Sequence, residues 1–497
     1  MEEKKTVSVD TWIRRVYLFL MLAGLPLAVH NGFFDITETK TLSFVIPTVI
    51  FALARLALTL YRMNGLPKRA LHIEGWAVIG FCLVCLAASV CGGNFSGSFL
   101  GVRGRWQGAG MMWLYAALFL AFSREEAEKR EILLPLCLGL ALSGALAVCN
   151  QLGRDPLGMC ARLSSKDAGR YISTLGNINF AGAYITLTLT VSAAALLSEE
   201  RPFARALLAG VCVIGLWAAM AVRSESAVLG VGAGMLLLPL FGKRLPNALH
   251  RWPLLLAGAS ASAYAYRLIV FARGKALSSL TEYITRPVVV LPLAAVGIVF
   301  FLLLRRKEDK NVYLARRIYL YALLAALVIG IGILILFNTV WSAVPLGEMD
   351  DWLHFSDSWG TDRGKVWAYC ASLFADFPLW EKLIGGGCGV LAALDSQHRL
   401  FPDAVLDTAH CEYFQILLNW GILGLGAYLT WIFFTVRRAL HRGDTLSFAL
   451  CAGIAAYGVQ ALVNIAQVPG IAIFFLLLAA VHAQSGSEEL TCDEKMV

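Results

Sequence analysis

The sequence predicts an all-α polytopic membrane protein with about fourteen transmembrane helices and one large extracytoplasmic loop that contains an interfacial helix. The chain of 497 residues is 58% hydrophobic and only 15% charged, a composition that a single water-soluble core cannot bury. Apolar runs of roughly 17 to 24 residues recur along the chain, each long enough to cross about 30 Å of hydrocarbon as a helix. Between these runs, the basic residues concentrate in alternate loops.

Hydropathy divides the chain into fourteen spans. They are 16–34, 41–61, 75–91, 106–122, 131–149, 180–198, 206–222, 227–241, 253–272, 287–304, 318–340, 413–436, 446–464 and 468–485. The first span follows four basic residues and so resembles the start of a signal peptide. It lacks a small-residue cleavage site, and we therefore expect a retained helix.

The loop charges orient the chain, because basic residues are enriched in the loops on the cytoplasmic side of a membrane. With a cytoplasmic N-terminus, every inside loop is basic, and both termini are predicted to be cytoplasmic. These loops contain Arg62, Lys68 and Arg69; Arg124, Lys129 and Arg130; Arg201 and Arg205; Lys243, Arg244 and Arg251; the run from Arg305 to Arg317; and Arg437, Arg438 and Arg442. The net charge of +8 thus follows from topology and does not call for a nucleic-acid partner.

One long hydrophilic stretch, from Trp341 to Glu412, divides the predicted chain into 1–340 with helices one to eleven, 341–412 as the extracytoplasmic loop, and 413–497 with helices twelve to fourteen and a cytoplasmic tail. Five tryptophans in this loop favour an ordered segment at the membrane interface. Between Asp362 and Phe377, aromatic and apolar residues at helical spacing predict an amphipathic helix on the membrane surface.

Several arginines fall in loops predicted to be outside, against the general charge bias. They are Arg103 and Arg105, those from Arg154 to Arg170, Arg223, those from Arg273 to Arg286, and Arg363, which is accompanied by Lys365. Positive charge retained on the translocated side suggests an anionic ligand, although solvated loop residues are the alternative for some of these arginines.

Four outside segments carry motifs. Asp407 to Leu425 reads DTAHCEYFQILLNWGILGL, and upstream of it stand Arg363, Trp367 and the glycine-rich run 384–389. Residues 174–182 read TLGNINFAG, and 222–224 read VRS. In order and spacing these segments resemble O-antigen ligases and O-antigen polymerases, over the chain from about residue 95 to residue 424.

The sequence departs from the pattern of that family at three positions, Ile178, Val222 and Cys411. The family usually has about twelve spans, and the extra pair here is 253–272 and 287–304. None of these departures removes an arginine or the histidine of a motif.

The resemblance implies a glycosyltransferase that takes a glycan from a polyisoprenoid diphosphate at the outer face of the membrane. Its acceptor would be a glycan, a lipid or a protein, and its surroundings are membrane lipids. Ligase and polymerase activities both remain open. We expect no cofactor and no metal, because the glycine run lacks the Lys-Ser/Thr of a phosphate-binding loop and no outside loop carries an Asp-rich motif.

The same resemblance, with the chemistry of the side chains, assigns catalytic roles to His410, Arg223 and Arg363. The planar guanidinium forks suit a departing diphosphate, and Arg170, Arg103 and Arg105 are expected to assist. A neutral His410, predicted in the first turn of span twelve, would accept a proton from the acceptor hydroxyl. Four residues are expected to support the site: Asn177, Asn179, Glu412 and Trp367.

Each assignment has a structural alternative. Arg223 suits a helix end that reaches for the interface, and Arg363 suits an ion pair with Asp362 or Asp357. His410 suits a polar cap, and Asn177 and Asn179 suit helix caps.

Two further interpretations stay open from the sequence. Cys370, Cys388 and Cys411 share the loop, where an oxidising environment permits a disulfide. A lipid-linked oligosaccharide flippase or another transporter is the competing function. It would place charged residues within the spans, where Arg55 and Arg267 are the clearest examples.

Overall fold

The computed structural model describes residues 8–62, 72–122, 127–164, 167, 169–305, 307–347, 350–402 and 404–485. Over these ranges the regular secondary structure is helical, apart from a hairpin that pairs Tyr171–Ile172 with Gly176–Asn177 and an isolated bridge between Phe401 and Ala404. The predicted all-α polytopic class is confirmed. The inside-loop residues Lys68, Arg69 and Arg124 and the chain ends 1–7 and 486–497 lie outside the described residues.

Ten of the described helices are long and apolar enough to cross a membrane. They are Ile36–Tyr61, Ile73–Cys91, Lys129–Gln151, Ile178–Ser198, Pro202–Ala221, Pro246–Ala272, Pro287–Leu304, Asp309–Thr339, Glu412–Arg442 and Thr445–Val463. Three shorter apolar helices are Ala109–Phe122, Glu225–Phe241 and Gly470–Ala483. Each of these thirteen helices coincides with one predicted span.

The first predicted span, 16–34, lies earlier in the chain than expected. It begins as the helix Val9–Phe19, continues as the π-helix Leu20–Gly24 and ends with Leu25–Leu27. The helix ends at Leu27, where Nζ of Lys40 donates to the carbonyls of Leu25 and Pro26, both 2.8 Å. A polar turn follows, in which Asp35 accepts a hydrogen bond from the backbone N–H of Asn31 and pairs with the ring of His30 (2.7 Å).

Shorter helices lie outside the spans. They are Phe95–Leu100, Ser279–Ile284, Asp350–Leu353, Trp359–Asp376, Leu379–Ile384 and Val390–His398, with a 3-10 turn at Cys160–Arg162.

Two helices form the centre of the bundle. Nearly every side chain of Ile178–Ser198 is buried, as is nearly every described side chain of Gly470–Ser485. At the periphery, Pro287–Leu304 and Asp309–Thr339 expose long apolar surfaces. Such a surface is stable only against hydrocarbon, so these peripheral helices face lipid.

Charged contacts gather at the two ends of the bundle. At one end, which we call the basic end, they join loops predicted to be cytoplasmic: Arg14 with Glu131 (2.9 Å), Lys129 with Glu199 (3.9 Å) and Arg438 with Glu74 (3.0 Å). The opposite end carries the 341–411 loop and is called the loop end, where Arg105 bonds Asp407 and Gln151 bonds the carbonyl of Ala276. Loops predicted to share a side therefore meet in space.

The helix Trp359–Asp376 in the loop differs from the prediction in what covers it. Its apolar face, with Val366 and Cys370, packs into a small core with Leu391, Leu406 and Leu418. The prediction of a helix is correct, but the expectation that its apolar face rests on the membrane surface is wrong, because the rest of the loop buries that face.

The glycine run 384–389 fastens the loop to the membrane helix Glu412–Arg442. That helix is broken at Gly421 (φ 64°), and near the break the carbonyls of Leu418 and Asn419 accept hydrogen bonds from the N–H groups of Gly386 and Gly387, both 3.0 Å. A Cβ at Gly385 would overlap the backbone of Asn419. The run is therefore a close-packed turn that satisfies helix carbonyls.

Replacing Gly385 tests this packing. Gly385 (φ +84°) has no room for a Cβ, whereas Gly93 (φ +76°) has open space around it. Gly93→Ala should cost about 1 kcal/mol of stability through backbone strain alone, and Gly385→Ala should lower Tm considerably further. Thermal unfolding of the purified variants measures both, and equal Tm values for the two would contradict the close contact.

The membrane orientation is testable by cysteine labelling, in a background where the exposed Cys91 is replaced. Gln397 lies exposed in the loop, and Lys310 lies exposed at the basic end. A membrane-impermeant maleimide added to spheroplasts should label Gln397→Cys and spare Lys310→Cys until the membrane is opened. The reverse pattern would invert the topology.

Candidate functional site

Four segments converge at the loop end: the 103–107 loop, the turn 222–225, the start of the regular helix at Arg363, and the irregular stretch 407–410. Arg105 and Asp407 form a two-point ion pair, with Nε–Oδ2 at 2.9 Å and Nη2–Oδ1 at 3.0 Å. The electrostatic field of both Arg363 and Arg105 acts on His410, and that of Glu225 acts on Arg363. Segments separated by up to three hundred residues in sequence thus share one electrostatic environment.

His410 lies just before the membrane helix, and two hydrogen bonds hold the residue that precedes it, Ala409. The indole Nε1 of Trp367 donates to the carbonyl of Ala409 (3.1 Å), and the N–H of Ala409 donates to Oε1 of Gln415 (2.9 Å). The residue adopts φ 50°, a strained value for a non-glycine residue. The helix begins at Glu412 with Cys411 as its N-cap, so the predicted position of His410 within the first turn is wrong by two residues.

The His410 ring is neutral at physiological pH. Burial, and then the charges of Arg363 and Arg105, lower the pKa of His410 to about 4, while Asp407 acts to raise it. The predicted neutral state agrees with this shift. The expected cause, the positive end of the helix, is replaced by loss of hydration and by two nearby guanidinium groups.

Arg363 is half-buried and only partly engaged. Its Nη1 donates to the carbonyl of Gly360 (2.6 Å), which lies in a left-handed run that also includes Thr361 and Asp362. Among the described residues, none accepts a hydrogen bond from its buried Nε. Burial lowers the pKa of Arg363, and Glu225 acts to raise it. The alternative of an ion pair with Asp362 or Asp357 is not what the structure shows.

Arg223 occupies the tight turn between Pro202–Ala221 and Glu225–Phe241. It is exposed and adopts φ 54°. The turn is tied to the bundle centre: the hydroxyl of Ser224 donates to Oδ1 of Asn179 (2.9 Å), and Nδ2 of Asn464 donates to the carbonyl of Asn179 (2.9 Å). The side chain of Arg223 is therefore presented from a fixed backbone.

The two asparagines have different roles. Asn177 is the N-cap of Ile178–Ser198 and accepts a hydrogen bond from the N–H of Asn179 (2.9 Å), as the cap interpretation predicts. Asn179 stands inside the first turn and bonds Ser224, so the cap interpretation is wrong for this residue. It links two membrane helices.

The remaining predicted arginines differ in their surroundings. Arg105 is held by Asp407 and stacks over the ring of Phe180 at 5.9 Å. Arg103 is exposed, and Arg170 is exposed with a long contact to Asp167 (3.8 Å). Of the three, only Arg105 is joined to the His410 segment by a hydrogen bond that the structure describes.

Glu412 is buried and does not point to solvent. It accepts hydrogen bonds from the hydroxyls of Tyr428 (2.6 Å) and Tyr457 (2.9 Å), which join two membrane helices. A small cavity of about 70 Å³ lies beside it and reaches Arg105 and Asp407. Glu412 thus ties the start of the helix that follows His410 to the neighbouring helix Thr445–Gln460.

Sequence reasoning missed Asp407, Gln415, Ser224 and Asn464. Asp407 and Gln415 stood within the quoted motif, next to His410, and their chemistry was the available signal. Asn464 lies in an apolar region near the end of the chain, where only its polarity among apolar neighbours marks it.

The loop cysteines Cys370, Cys388 and Cys411 are unbonded, so no disulfide forms among them in this structure. Within the described ranges, no group of three or more His, Cys, Asp or Glu side chains is arranged to hold a metal ion.

The fold and the loop end together define a multi-pass α-helical membrane protein whose polar site lies at one end of its helices. Residues 276–429 match the family model described as O-antigen ligase. This match confirms the resemblance for the motifs between Arg363 and Leu425 and supports assignment to that family. It includes Arg363 and His410 and the loop that positions them, whereas Arg223 precedes it. No curated protein matches the chain.

The lowered pKa of His410 predicts an acid-dependent loss of stability. An unfolded histidine titrates near 6.5 and the folded one at about 4, so between these values the unfolded state binds more protons. Stability should therefore fall as pH falls from about 6.5 through about 4. In His410→Gln this contribution is absent, so the Tm difference between wild type and variant should change in favour of the variant as pH is lowered. A pH-independent difference would contradict the shift.

Proposed function

We propose that the protein is a glycosyltransferase that transfers or polymerises a glycan from a polyisoprenoid diphosphate at the outer face of the cytoplasmic membrane, without a metal ion. The observation that carries the proposal is a neutral His410 in the field of two arginines, one of which, Arg363, has a buried nitrogen without a hydrogen-bond partner among the described residues. The O-antigen ligase match over residues 276–429 supports it.

The donor diphosphate is assigned to Arg363 and Arg223. As the bond from the anomeric carbon to the diphosphate oxygen breaks, the electron pair leaves with the diphosphate, and the negative charge on it grows. Fixed guanidinium groups stabilise that charge more in the transition state than in the ground state. Arg363 has a donor, Nε, that no described residue engages, and Arg223 is exposed on a turn that is tied to Asn179 through Ser224. Arg103 and Arg170 are assigned to the rim of the same site.

The acceptor is assigned to His410. The acceptor hydroxyl attacks the anomeric carbon, and its proton passes to the imidazole, which is free to accept it because the ring is neutral. A bound diphosphate offsets the positive field of the arginines, which raises the pKa of His410 toward a useful value when the donor is present. The base is thereby strongest in the loaded enzyme.

Arg105 and Asp407 are positioning residues in this scheme. Their ion pair anchors the 407–410 stretch to the 103–107 loop, while Trp367 fixes the peptide that precedes His410. Asn177, Asn179 and Glu412 hold the helix ends on which these segments rest.

The residues that a transport function would use are engaged elsewhere. Arg55 forms an ion pair with Asp10 (3.0 Å), and Arg267 donates to the carbonyl of Glu282 (2.7 Å). Neither contact favours a transport pathway, so the glycosyltransferase proposal is the one we carry forward.

A transfer assay tests the site. Purified protein is given a polyisoprenoid diphosphate glycan and candidate glycan, lipid or protein acceptors. Removing one arginine donor should reduce turnover by about 10²–10³-fold, as expected for Arg223→Ala and Arg363→Ala, and removing the base in His410→Ala should cost about 10²–10⁴-fold. Chelation of divalent metals should leave turnover unchanged.

Matched controls exist on the loop end. Arg273 is an exposed arginine of another loop, and His398 is an exposed histidine of the 341–411 loop, so Arg273→Ala and His398→Ala should retain activity. Full transfer by all three site variants would remove the site assignment. Movement of the lipid-linked glycan across a bilayer without any transfer would replace the enzyme proposal with transport.

A further inference from the structure

A groove of about 610 Å³ runs between membrane helices on the side of the bundle that contains the additional helix pair. Its walls come mainly from Glu225–Phe241, Pro246–Ala272 and Pro287–Leu304, with the start of Asp309–Thr339 at its basic end. The lining side chains are almost entirely apolar. A cavity of this kind at the depth of the hydrocarbon excludes water and accepts a hydrocarbon chain.

One face of Glu225–Phe241 forms a continuous wall of the groove. Lining residues recur along this helix three or four positions apart: Val228, Val231, Gly232, Met235, Leu236 and Pro239. That spacing places them on a single stripe. From Val228 to Pro239 the stripe descends about 16 Å at the rise of an α-helix.

The end of the stripe nearest the loop end of the bundle adjoins the proposed diphosphate site. Val228 follows Glu225 by one turn, and Glu225 is the residue whose charge acts on Arg363. Arg223 occupies the turn directly before that helix. The turn therefore presents a cation at the loop end, and the helix that follows it presents an apolar track directly below.

The basic end of the groove is closed by polar side chains that the protein itself satisfies. Pro239 has no N–H, which frees the carbonyl of Met235, and Trp252 Nε1 donates to that carbonyl (2.8 Å). The hydroxyl of Tyr319 donates to the backbone carbonyl of Leu236 (2.8 Å), and Nε of Arg316 donates to the backbone carbonyl of Pro239 (2.6 Å). With these groups paired inside the protein, the groove offers a ligand apolar contacts.

The groove is held open by the packing of the additional pair. A Cβ on Gly297 would lie 2.6 Å from the carbonyl oxygen of Pro253, so these two helices are in close backbone contact and cannot spread into the space. Gly232, on the opposite wall, has no atom within 4 Å of the position of its missing Cβ. Gly297 therefore lies in a closely packed interface between two helices, whereas Gly232 borders open space.

We propose that this groove holds the isoprenoid chain of the lipid-linked donor, with the diphosphate at Arg223 and Arg363. The inference rests on the proposed function for the identity of the headgroup. The continuity of the cation with the apolar track fits a single chain attached to a diphosphate. A phospholipid has two chains and one phosphate and matches this arrangement less well.

The test compares binding of farnesyl diphosphate and undecaprenyl diphosphate, which share a headgroup and differ in chain length. The wild type should prefer the long chain. Gly232→Leu fills the open space and should weaken the binding of undecaprenyl diphosphate by about three- to tenfold. The loss is modest because a displaced isoprenoid chain moves from the groove into lipid, which is equally apolar, so that only packing contacts are lost. Its affinity for farnesyl diphosphate should change little.

The matched control is Gly330→Leu, on the lipid-facing helix Asp309–Thr339, where a Cβ also meets nothing within 4 Å; it should bind both lipids like the wild type. A second readout does not depend on the stability of Gly232→Leu. A photoreactive p-benzoylphenylalanine in place of Leu236 should crosslink to the undecaprenyl chain, and one in place of the exposed Leu324 should not.

Each outcome is informative about a different claim. Equal binding of the long chain by wild type and Gly232→Leu, with no crosslink at Leu236, would overturn the groove proposal. So would displacement of the crosslinked chain by phosphatidylglycerol at equal concentration, which would identify a general lipid site. If either result is obtained and Arg223→Ala and Arg363→Ala still weaken the binding of both lipid diphosphates, the proposed function stands and only the groove proposal fails.

Discussion

Most of this structure depends on one constraint: backbone polar groups within the membrane must be hydrogen-bonded by the protein. Helices meet that requirement along the spans, and the break at Gly421 is where it must be met differently. There the N–H groups of Gly386 and Gly387 bond the carbonyls of Leu418 and Asn419. Because only a glycine run can approach a helix backbone so closely, the constraint also fixes where the loop is attached.

That attachment determines the geometry of the proposed catalytic residues. The loop, once docked on Glu412–Arg442, brings the helix with Arg363 and Trp367 beside the stretch that carries His410. The bond from Trp367 to Ala409 and the ion pair between Arg105 and Asp407 then hold His410 in a strained conformation. A strained residue with fixed neighbours is a sign of a preorganised site.

The helix Glu225–Phe241 links the site to the membrane interior. At the loop end its first turn is tied through Ser224 and Asn179 to the buried central helix. At the basic end, the carbonyl of Met235, which lacks a helical partner because Pro239 has no N–H, accepts a hydrogen bond from the indole of Trp252. The helix is thus pinned at both ends, and its apolar stripe keeps a constant position relative to the arginines above it.

The sequence by itself determined the membrane class, the positions of the spans and the family resemblance. These depend on composition, on runs of apolar residues and on motifs, all of which are local. The first span was misplaced because hydropathy does not show where the helix ends: its last carbonyls are bonded by Lys40, and the apolar residues after Leu27 belong to a polar turn around Asp35. The helix at Arg363 was predicted by its spacing, but a pattern shows only that one face is apolar, not whether lipid or protein covers it.

Only the tertiary structure decided the environment of the site. The pKa of His410 depends on burial and on two arginines far away in the chain, and Arg105 meets Asp407 across most of the sequence. Asn179 was indistinguishable from a cap until Ser224 was placed beside it. Electrostatic and hydrogen-bond energies depend on distance in space, whereas a sequence orders residues only along the chain. Local sequence patterns therefore predict the helices, but only the folded structure shows which side chains from different helices and loops contact one another.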